Sequence, residues 1–432
     1  MKYWPWFSRN YTKSGCFAIE TLTGLPHHFR RNLEREKLKM RILFLGFYKS
    51  PAFLQWDGQQ GSDLGGQRKI GLLLRALLAS GHEVRVVSSA VSARNRREWQ
   101  KQLKTTVDFP EGRVSVIHSG TTGLKPWGGL LTCFTTRQVV LGLASEWKPD
   151  IAFSYNGLLA ETISLLALRN RFGTPFVVEV DDYPGVRARG WNPKAKMDVF
   201  GWHFLEPKAS GFVLVNSKLR DKVPTGGRPF VILPGIVEDA LIEQSKKRRD
   251  PFASKQRTLL YCGGLSVERG AGRLLAAIPF LPPDWRLVVA GSGPLLARFQ
   301  EQAELAPERC AFLGLLSSSQ MIPVLCAADT VINPPETLNH ADGVFPVKIF
   351  EYIASRAHLI STKLPKVEGA DLTWFQRWSG EPEELRTLLS NAESDYQQEK
   401  AVRETAIRWV NQEFSIRQVS LKLNGIFSAI AK

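Results

Sequence analysis

The amino-acid sequence predicts an α/β protein with two doubly wound domains, each a mostly parallel sheet covered by helices on both faces. From residue 40 onward, short apolar runs alternate with longer amphipathic ones, as in strand–helix–strand units. The apolar runs are nearly continuous, which is typical of parallel strands buried on both faces. The alternation stops in a polar stretch between residues 238 and 257 and then starts again. A length of 432 residues also suits two or three domains.

The strands are predicted at apolar runs bounded by turn-forming residues. In the first domain they are Ile42–Phe47, Glu83–Ser88, Val114–His118, Ile151–Ser154, Phe176–Val180, Gly211–Val215 and Phe230–Leu233. In the second domain they are Thr258–Cys262, Arg286–Ala290, Cys310–Leu313, Thr330–Asn333 and His358–Ser361. The helices predicted between them are Arg68–Ser80, Leu158–Arg171, Gly272–Ile278, Pro294–Leu305 and Lys348–Ser355.

Shifts in composition predict the domain boundaries. Residues 1–39 contain eight basic and three acidic residues, and we interpret them as either a peripheral tail or sequence upstream of the native start. The segments that follow are predicted to be residues 40–240 for the first domain, 241–257 for a solvated linker, 258–414 for the second domain and 415–432 for a helix that crosses back onto the first.

Composition excludes several classes of protein. Hydrophobic residues make up 44% and charged residues 23% of the chain, which excludes a disordered, collagen-like or disulfide-scaffold protein. The five cysteines include no C-x-x-C pair, so neither zinc nor disulfides are expected and a reducing cytoplasm fits best. No apolar run reaches the roughly 18 residues of a membrane-spanning helix. The net charge of +16 predicts an anionic partner: a nucleotide, nucleic acid or an acidic membrane surface.

Ligands of open parallel sheets bind beyond the carboxyl ends of the strands, so the loops after strands are candidate sites. After the first strand, the stretch Lys49–Gln67 contains Gly65-Gly66 just before a predicted helix. Glycines there let backbone amides approach an anion, although a flexible turn would have the same composition. The spacing is not G-x-G-x-x-G, so a dinucleotide fingerprint is absent.

Two loops of the second domain carry cations. Arg269 follows Gly263-Gly264 at the end of a strand, where a guanidinium could pair with a diphosphate. Lys348 and Glu351 are three residues apart and share one face of a predicted helix. The pair is either an exposed surface ion pair or a phosphate-binding lysine beside a carboxylate for ribose hydroxyls, and the spacing alone does not choose between them.

The order of motifs along residues 40–432 resembles the GT-B glycosyltransferases of the retaining family four type. The motifs are Arg41–Leu45 with Gly65-Gly66, Gly81–Val84, Lys148–Ile151, Val215–Ser217, Leu233–Ile236, Gly263–Gly270, Gly291–Gly293, Ala328-Asp329 and Phe345–Ala354. The form Pro346-x-Lys348-x-x-Glu351-Tyr352 is similar to the subgroup that makes bacterial surface polysaccharides.

The resemblance implies two Rossmann-like domains facing a cleft, with the nucleotide-sugar donor in the second and the acceptor in the first. Arg269 and Lys348 would bind the diphosphate, and Glu351 would bind the ribose. The donor-binding residues that it implies are Gly65 and Gly66 in the first domain and Arg269, Gly343, Val344, Phe345, Lys348 and Glu351 in the second. Such enzymes generally need no metal or other cofactor, because basic side chains and helix N-termini stabilise the leaving-group charge.

The sequence departs from the family's pattern at three places. The first glutamate of the E-x7-E pair would fall on Gly343, and Asp342 beside it is the candidate substitute. The family's active-site histidine falls on Asp181-Asp182, which either orient the sugar or cap the next helix. An arginine of the phosphate loop is replaced by Gly264. Asp181, Asp182 and Asp342 are therefore the candidate catalytic residues.

Basic groups in the first domain are candidate membrane contacts. One group has a 3-4-3 spacing that would place it on one helix face: Arg94, Arg97, Lys101 and Lys104. The other interleaves basic residues with tryptophan: Arg187, Arg189, Lys194, Lys196, Trp191 and Trp202. Tryptophan beside lysine and arginine suits a membrane interface. Nucleic acid is not expected as a partner, because the pattern lacks the sheets that usually carry stacking platforms.

The sequence therefore predicts a glycosyltransferase that is either free in the cytoplasm or peripheral on the inner face of the cell membrane. It would move a sugar from a nucleotide-sugar to a glycan or lipid-linked acceptor with retention of configuration. Two alternatives remain open: a degenerate GT-B protein that binds a nucleotide or partner without catalysis, and a nucleotide-sugar 2-epimerase. His82, in the turn before a strand, is predicted to be structural, and His340 is predicted to be an exposed loop residue.

Overall fold

In the computed structural model the chain forms two parallel sheets, each covered by helices on both faces. The structure describes residues 39–57, 64–90, 99–100, 102–122, 127–181, 183–187, 193–335, 348–362, 364 and 375–431. The basic extension through residue 38 lies outside this range. The predicted fold class, two doubly wound domains with a C-terminal helix crossing back, is confirmed.

Each predicted strand is present. The first series is β1 (Arg41–Gly46), β2 (Glu83–Ser88), β3 (Trp99–Gln100), β4 (Leu103–Phe109), β5 (Gly112–His118), β6 (Thr121–Thr122), β7 (Ile151–Tyr155), β8 (Phe176–Val180), β9 (Gly211–Leu214) and β10 (Phe230–Ile232). The second series is β11 (Arg257–Gly264), β12 (Trp285–Ser292), β13 (Cys310–Phe312), β14 (Thr330–Asn333), β15 (His358–Ser361) and β16 (Gln376–Arg377). Of these, β3, β4, β6 and β16 are strands that were not predicted.

The helices lie between the strands and at the C-terminus. Those up to residue 245 are α1 (Pro51–Asp57), α2 (Leu64–Ala79), α3 (Trp127–Trp147), α4 (Leu159–Phe172), α5 (Pro184–Arg187), α6 (Pro193–Leu205) and α7 (Asp239–Ser245). The later ones are α8 (Ala271–Ala277), α9 (Leu296–Leu305), α10 (Ser318–Ala327), α11 (Lys348–Ala354), α12 (Pro382–Gln398), α13 (Lys400–Phe414) and α14 (Ile416–Ile430).

In each sheet the first strand along the chain, β1 or β11, lies in the interior, and later strands lie on both sides of it. The strand order is β10-β9-β8-β7-β1-β2-β5-β4 in the first sheet and β13-β12-β11-β14-β15-β16 in the second. Within these two sheets all pairs are parallel except β4–β5, and β3 and β6 form a separate antiparallel pair. The order reverses between β1 and β7 and again between β11 and β14, and such reversals open a crevice at the carboxyl ends of the strands. These two places therefore position the candidate site.

The helix predicted from the 3-4-3 spacing of basic residues is wrong where the structure describes it. Lys104 lies in β4, which pairs antiparallel with β5. The run Thr105-Thr106-Val107 is β-branched and favours a strand, and its side chains alternate between exposed and half-buried. Arg94, Arg97 and Lys101 lie outside the described residues.

The first sheet is packed on both faces. Ile42 and Phe44 of β1 enter one hydrophobic core, while Leu43 and Leu45 enter the other. This alternation follows from the two-residue period of a strand. It explains why β1 reads as a continuous apolar run.

The C-terminal helix α14 braces the first sheet. The chain crosses back at Ser415, which bridges to Val237, and Phe427 of α14 packs edge-on against Phe153 of β7 with ring centroids 5.9 Å apart. His82 accepts from the Met40 amide through Nδ1 (3.2 Å) and contacts Asn424 of α14 through Nε2 (2.6 Å). The prediction that His82 is structural agrees with these contacts.

Replacing Asp329 by alanine is expected to lower the free energy of unfolding by about 2–4 kcal/mol, because buried donors would lose their acceptor. Asp329 is fully buried. Its carboxylate accepts from the amide of Phe252 at 2.8 Å and from the amide and hydroxyl of Thr258 at 2.7 and 3.0 Å. Urea denaturation would measure the change. Asp284→Ala, which removes a half-exposed carboxylate that pairs with Arg257 at 3.5 Å, is the control, and equal effects of the two changes would contradict the prediction.

Candidate functional site

Lys348 and Glu351 lie at the carboxyl end of the second sheet, on the first turn of α11. The Nζ of Lys348 donates to the carbonyl oxygen of Cys262 at 2.7 Å. A Cβ at position 263 would lie 2.6 Å from that Nζ, so Gly263 leaves the space that the lysine head group occupies. Burial lowers the pKa of Lys348, while Cys262 and Glu351 act in the opposite direction. The Lys348 head group is thus partly buried and held against the β11 backbone.

Glu351 is also buried, with 5% of its side chain exposed. It pairs with Arg68 of α2, whose Nη2 lies 2.7 Å from the Glu351 Oε1. Burial raises the pKa of Glu351, and Arg68 and Lys348 oppose this effect. The reading of Lys348 and Glu351 as an exposed surface ion pair is therefore wrong.

Arg68 joins the first sheet's α2 to the second sheet's α11. It also contacts Glu238 at 3.4 Å, and Glu238 in turn pairs with Arg75 of α2 at 2.6 Å. Among the described residues nothing accepts from the Arg68 Nε, which is buried. Sequence reasoning missed Arg68 as a site residue. Its one local signal was its position directly after Gly65-Gly66 and Gln67.

Arg269 lies near Lys348, and the glycine pair begins the helix that carries Arg68. Arg269 is exposed in the turn after β11 and acts electrostatically on Lys348. Gly65 and Gly66 lie inside the first turn of α2 rather than in a loop before it, so the predicted helix start at Arg68 was too late. A Cβ at Gly65 would meet open space.

A second cluster of charges lies beyond β8 in the first domain. Lys69 of α2 is buried, and its Nζ lies 2.7 Å from Glu179 Oε1 and 2.5 Å from Asp181 Oδ1. The Tyr155 hydroxyl donates to the other Asp181 oxygen at 2.7 Å, and the Asp181 amide donates to Asn156 Oδ1 at 2.9 Å. Asp181 is therefore held at a defined position at the carboxyl end of the first sheet. Sequence reasoning missed Lys69 and Glu179.

Several predicted residues lie outside the described part of the chain: Asp182, His340, Asp342, Gly343, Val344 and Phe345. Within the described part, no three His, Cys, Asp or Glu side chains cluster in a way that could hold a metal ion. No helix there combines the length and apolar character needed to cross a membrane.

Two family models match the chain, one on each sheet. A glycosyl transferase 4-like domain matches residues 65–231, and a glycosyl transferases group 1 domain matches residues 256–381. A stretch of 83 residues is 40% identical to the GDP-mannose-dependent alpha-(1-6)-phosphatidylinositol dimannoside mannosyltransferase of Mycobacterium tuberculosis. This match covers 18% of the chain and spans about a fifth (21%) of the relative's length.

Solved structures share the fold over nearly the whole chain. Sucrose-phosphate synthase from Thermosynechococcus elongatus is 13% identical, with a TM-score of 0.65 over 91% of this chain and 99% of that one. HepE from Anabaena, solved in complex with UDP, is 16% identical, with a TM-score of 0.59 over 90% of this chain and 100% of HepE. The two family models together match more than half of the chain and cover both sheets. The chain therefore belongs to the GT-B glycosyltransferases, in agreement with the resemblance to retaining family four.

Proposed function

We propose that the protein transfers a sugar from a nucleotide-sugar to a glycan or lipid-linked acceptor with retention of configuration. The observation that carries the proposal is that the partly buried Lys348 and the buried Glu351 lie on one helical turn at the carboxyl end of the second sheet. A lysine beside a buried carboxylate suits the two ends of a nucleoside diphosphate, the phosphates and the ribose hydroxyls. The family models and the mannosyltransferase relative support this function and do not favour an epimerase or a non-catalytic protein.

In this proposal the second domain binds the donor. Lys348 and Arg269 contact the diphosphate, and their charges stabilise the leaving group without a metal ion. Glu351 accepts from the ribose hydroxyls, which must compete with Arg68 for the carboxylate. The backbone of Gly343, Val344 and Phe345 contacts the donor from the loop before α11.

The first domain contributes the catalytic side of the cleft. Gly65 and Gly66 approach the donor, and Asp181, held by Lys69 and Tyr155, orients the sugar. Asp182 and Asp342 are the other candidate catalytic residues. The bond between the sugar C1 and the phosphate oxygen breaks, and a bond from C1 to the acceptor oxygen forms on the same face. The departing phosphate accepts the proton of the acceptor hydroxyl.

The relatives narrow the choice of ligands to test. The mannosyltransferase is named as GDP-mannose-dependent, and its name includes phosphatidylinositol dimannoside. HepE was solved with UDP-glucose as well as with UDP. We propose a lipid-linked acceptor and a site of action in the cytoplasm, at the inner face of the cell membrane.

Nucleotide binding and sugar transfer test the proposal directly. Melting temperatures are measured with GDP, UDP and ADP and with their sugar conjugates, because a ligand that binds only the folded state raises the melting temperature. We expect the nucleotide with one particular base to raise the melting temperature. The nucleotide-sugar with the same base should release its nucleoside diphosphate when a lipid-linked acceptor is added. No stabilisation by any nucleotide would overturn the proposal, and so would nucleotide binding without transfer from any donor.

Arg269→Ala should weaken binding of the stabilising nucleotide by about 10–100-fold, because hydrogen bonds to a charged group contribute about 1.5–3 kcal/mol. Isothermal titration calorimetry with the nucleoside diphosphate measures the loss. Arg386→Ala removes an exposed arginine from α12 and should leave affinity unchanged. A similar loss in both variants would indicate a general charge effect instead.

A further inference from the structure

The helix α6 exposes an apolar stripe. Met197, Phe200 and Phe204 are 41%, 65% and 54% exposed, and their spacing of three and four places them on one helix face. The rings of Phe200 and Phe204 contact each other edge to face, with centroids 5.0 Å apart. The opposite face is the one that packs on the domain, through Trp202 and Leu205. The helix is therefore apolar on both sides.

The neighbouring helix α3 exposes a second apolar group. Leu130, Leu131 and Phe134 are 38%, 41% and 69% exposed. Both α3 and α6 pack against α4, and Cys133, next to Phe134, lies within electrostatic range of Lys194 in α6. The two groups therefore belong to one side of the first domain.

This side collects the exposed apolar surface of the described residues. Among the described residues, half of the exposed large hydrophobic side chains lie on α3 and α6. They include every described phenylalanine that is more than half exposed. Contiguous exposed apolar patches in monomeric proteins mark sites of interaction. We call this surface the apolar–basic face, and its apolar members are Leu130, Leu131, Phe134, Met197, Phe200 and Phe204.

Basic side chains are exposed on both helices of the apolar–basic face. Lys194 and Lys196 of α6 and Arg137 of α3 are exposed beside the apolar side chains. The acidic residue of α6, Asp198, is buried and accepts from the Leu159 amide at 2.9 Å. Exposed phenylalanine flanked by lysine and arginine, with the carboxylate turned inward, has the chemistry of a surface that lies on anionic lipid.

The face also adjoins the carboxyl edge of the first sheet. A Cβ at Gly157, just after β7, would lie 2.4 Å from Leu205 and 3.0 Å from Trp202, so α6 packs directly on the loop at that edge. Tyr183, two residues after Asp181, contacts the Trp202 ring with centroids 6.2 Å apart. A surface that rests on this face is therefore close to the proposed acceptor side of the cleft.

We propose that the apolar–basic face docks the protein on an anionic membrane, with the phenylalanines in the interface and the lysines at the lipid head groups. The proposal rests on the proposed function, which places a lipid-linked acceptor at the adjoining cleft. A second copy of the chain fits this face less well, because a two-fold contact brings the same patch of each copy together and would oppose its basic residues.

The structure changes the residues assigned to this role. Trp202 is 4% exposed and stabilises the packing of α6, so the prediction of Trp202 as an interface residue is wrong. Trp191 and Arg189 lie outside the described residues. The phenylalanines of α3 and α6, which the sequence pattern did not single out, take the place of the tryptophan.

Vesicle flotation of the full chain tests the proposal. The wild type should bind vesicles of equal phosphatidylcholine and phosphatidylglycerol, bind pure phosphatidylcholine weakly, and dissociate as salt rises from about 0.1 to 0.5 M. The double change Phe200→Ser and Phe204→Ser should lower the partition coefficient by at least about tenfold. Lys194→Gln with Lys196→Gln should weaken binding to the anionic vesicles alone. Leu305→Ser, at a leucine that is 71% exposed on α9, is the matched control.

Several results would overturn the docking proposal. One is that the wild type does not bind the anionic vesicles, and another is that the phenylalanine variant binds them as well as the wild type does. A third is that light scattering detects a dimer without lipid, and that the phenylalanine changes dissociate this dimer. The last result would identify a second copy as the occupant. Nucleotide binding in solution, measured on the same proteins, separates the two proposals. If the wild type binds vesicles but no nucleotide, the proposed function fails and the docking proposal stands. If it binds nucleotide but no vesicles, the docking proposal fails and the proposed function stands.

Discussion

Lys69→Met is expected to lower the free energy of unfolding by about 3–5 kcal/mol, the usual result of removing one partner from a buried ion pair. Lys69 lies between Glu179 and Asp181, and the side chains of Lys69 and Glu179 are 3% and 0% exposed. Burial alone would lower the pKa of Lys69, but the two carboxylates outweigh it and raise the pKa above the ordinary value. The lysine is therefore charged at neutral pH. Without it, two neighbouring carboxylates would face each other uncompensated.

The loss of stability should depend on pH. Burial raises the pKa of Glu179 to about 7, even though Lys69 opposes the effect, so the variant's Glu179 should titrate above that value. A carboxyl whose pKa is raised on folding favours the folded state below its unfolded pKa, and this advantage disappears as pH rises through the folded pKa. The loss of unfolding free energy that Lys69→Met causes should therefore be smaller at about pH 5 than at about pH 8. Urea denaturation at both pH values measures it.

Two controls separate this effect from a general loss of packing. Lys104→Met removes an exposed lysine of β4 and should change stability by less than about 0.5 kcal/mol. The double variant Lys69→Met with Glu179→Gln replaces one of the uncompensated carboxyls by a neutral amide. It should lose most of the pH dependence. A deficit of the same size at both pH values in the single variant would show that the charges are not the cause.

Much of the fold was predictable because parallel strands buried on both faces carry a strong local signal. The predicted bounds of Glu83–Ser88, Phe176–Val180, Thr330–Asn333 and His358–Ser361 agree with the structure. The strand β4 was missed because an antiparallel edge strand buries one face only. Its polar residues, Lys104 among them, then fit a helical spacing equally well.

The site was predictable where its geometry is local. Lys348 and Glu351 are one helical turn apart, so their common position follows from the helix alone. The pairs Arg68–Glu351 and Lys69–Asp181 join residues that are far apart in the chain. They depend on how α2 meets the second sheet and β8, which no short-range pattern encodes. The sequence therefore predicted that Lys348 and Glu351 share a helical turn, but not the contacts that α2 makes with Glu351 and Asp181.

Glu351→Gln is expected to weaken nucleoside diphosphate binding by about 10–100-fold, because ribose hydroxyls would lose a charged acceptor. A 2′,3′-dideoxy nucleoside diphosphate provides the sharper comparison. The wild type should bind it more weakly than the ribose form, whereas the variant should bind both forms alike. Glu404→Gln removes a carboxylate that pairs with Arg356 at 2.7 Å outside the site, and it should behave like the wild type. A variant that still discriminates between the two forms would show that Glu351 holds Arg68 rather than ribose.

The pH dependence of nucleotide binding gives the same residue a second test. Burial raises the pKa of Glu351, with Arg68 and Lys348 acting against it. Because the ionised carboxylate is the form that accepts from both hydroxyls, affinity for the ribose form should fall as pH drops through this raised pKa. The dideoxy analogue and the Glu351→Gln variant lack one partner of the contact each, so both should lose this part of the pH dependence. Calorimetric titrations of both proteins with both ligands between about pH 5 and pH 8 would measure this pH dependence. If the pH dependence remains in the variant, a group other than Glu351 causes it.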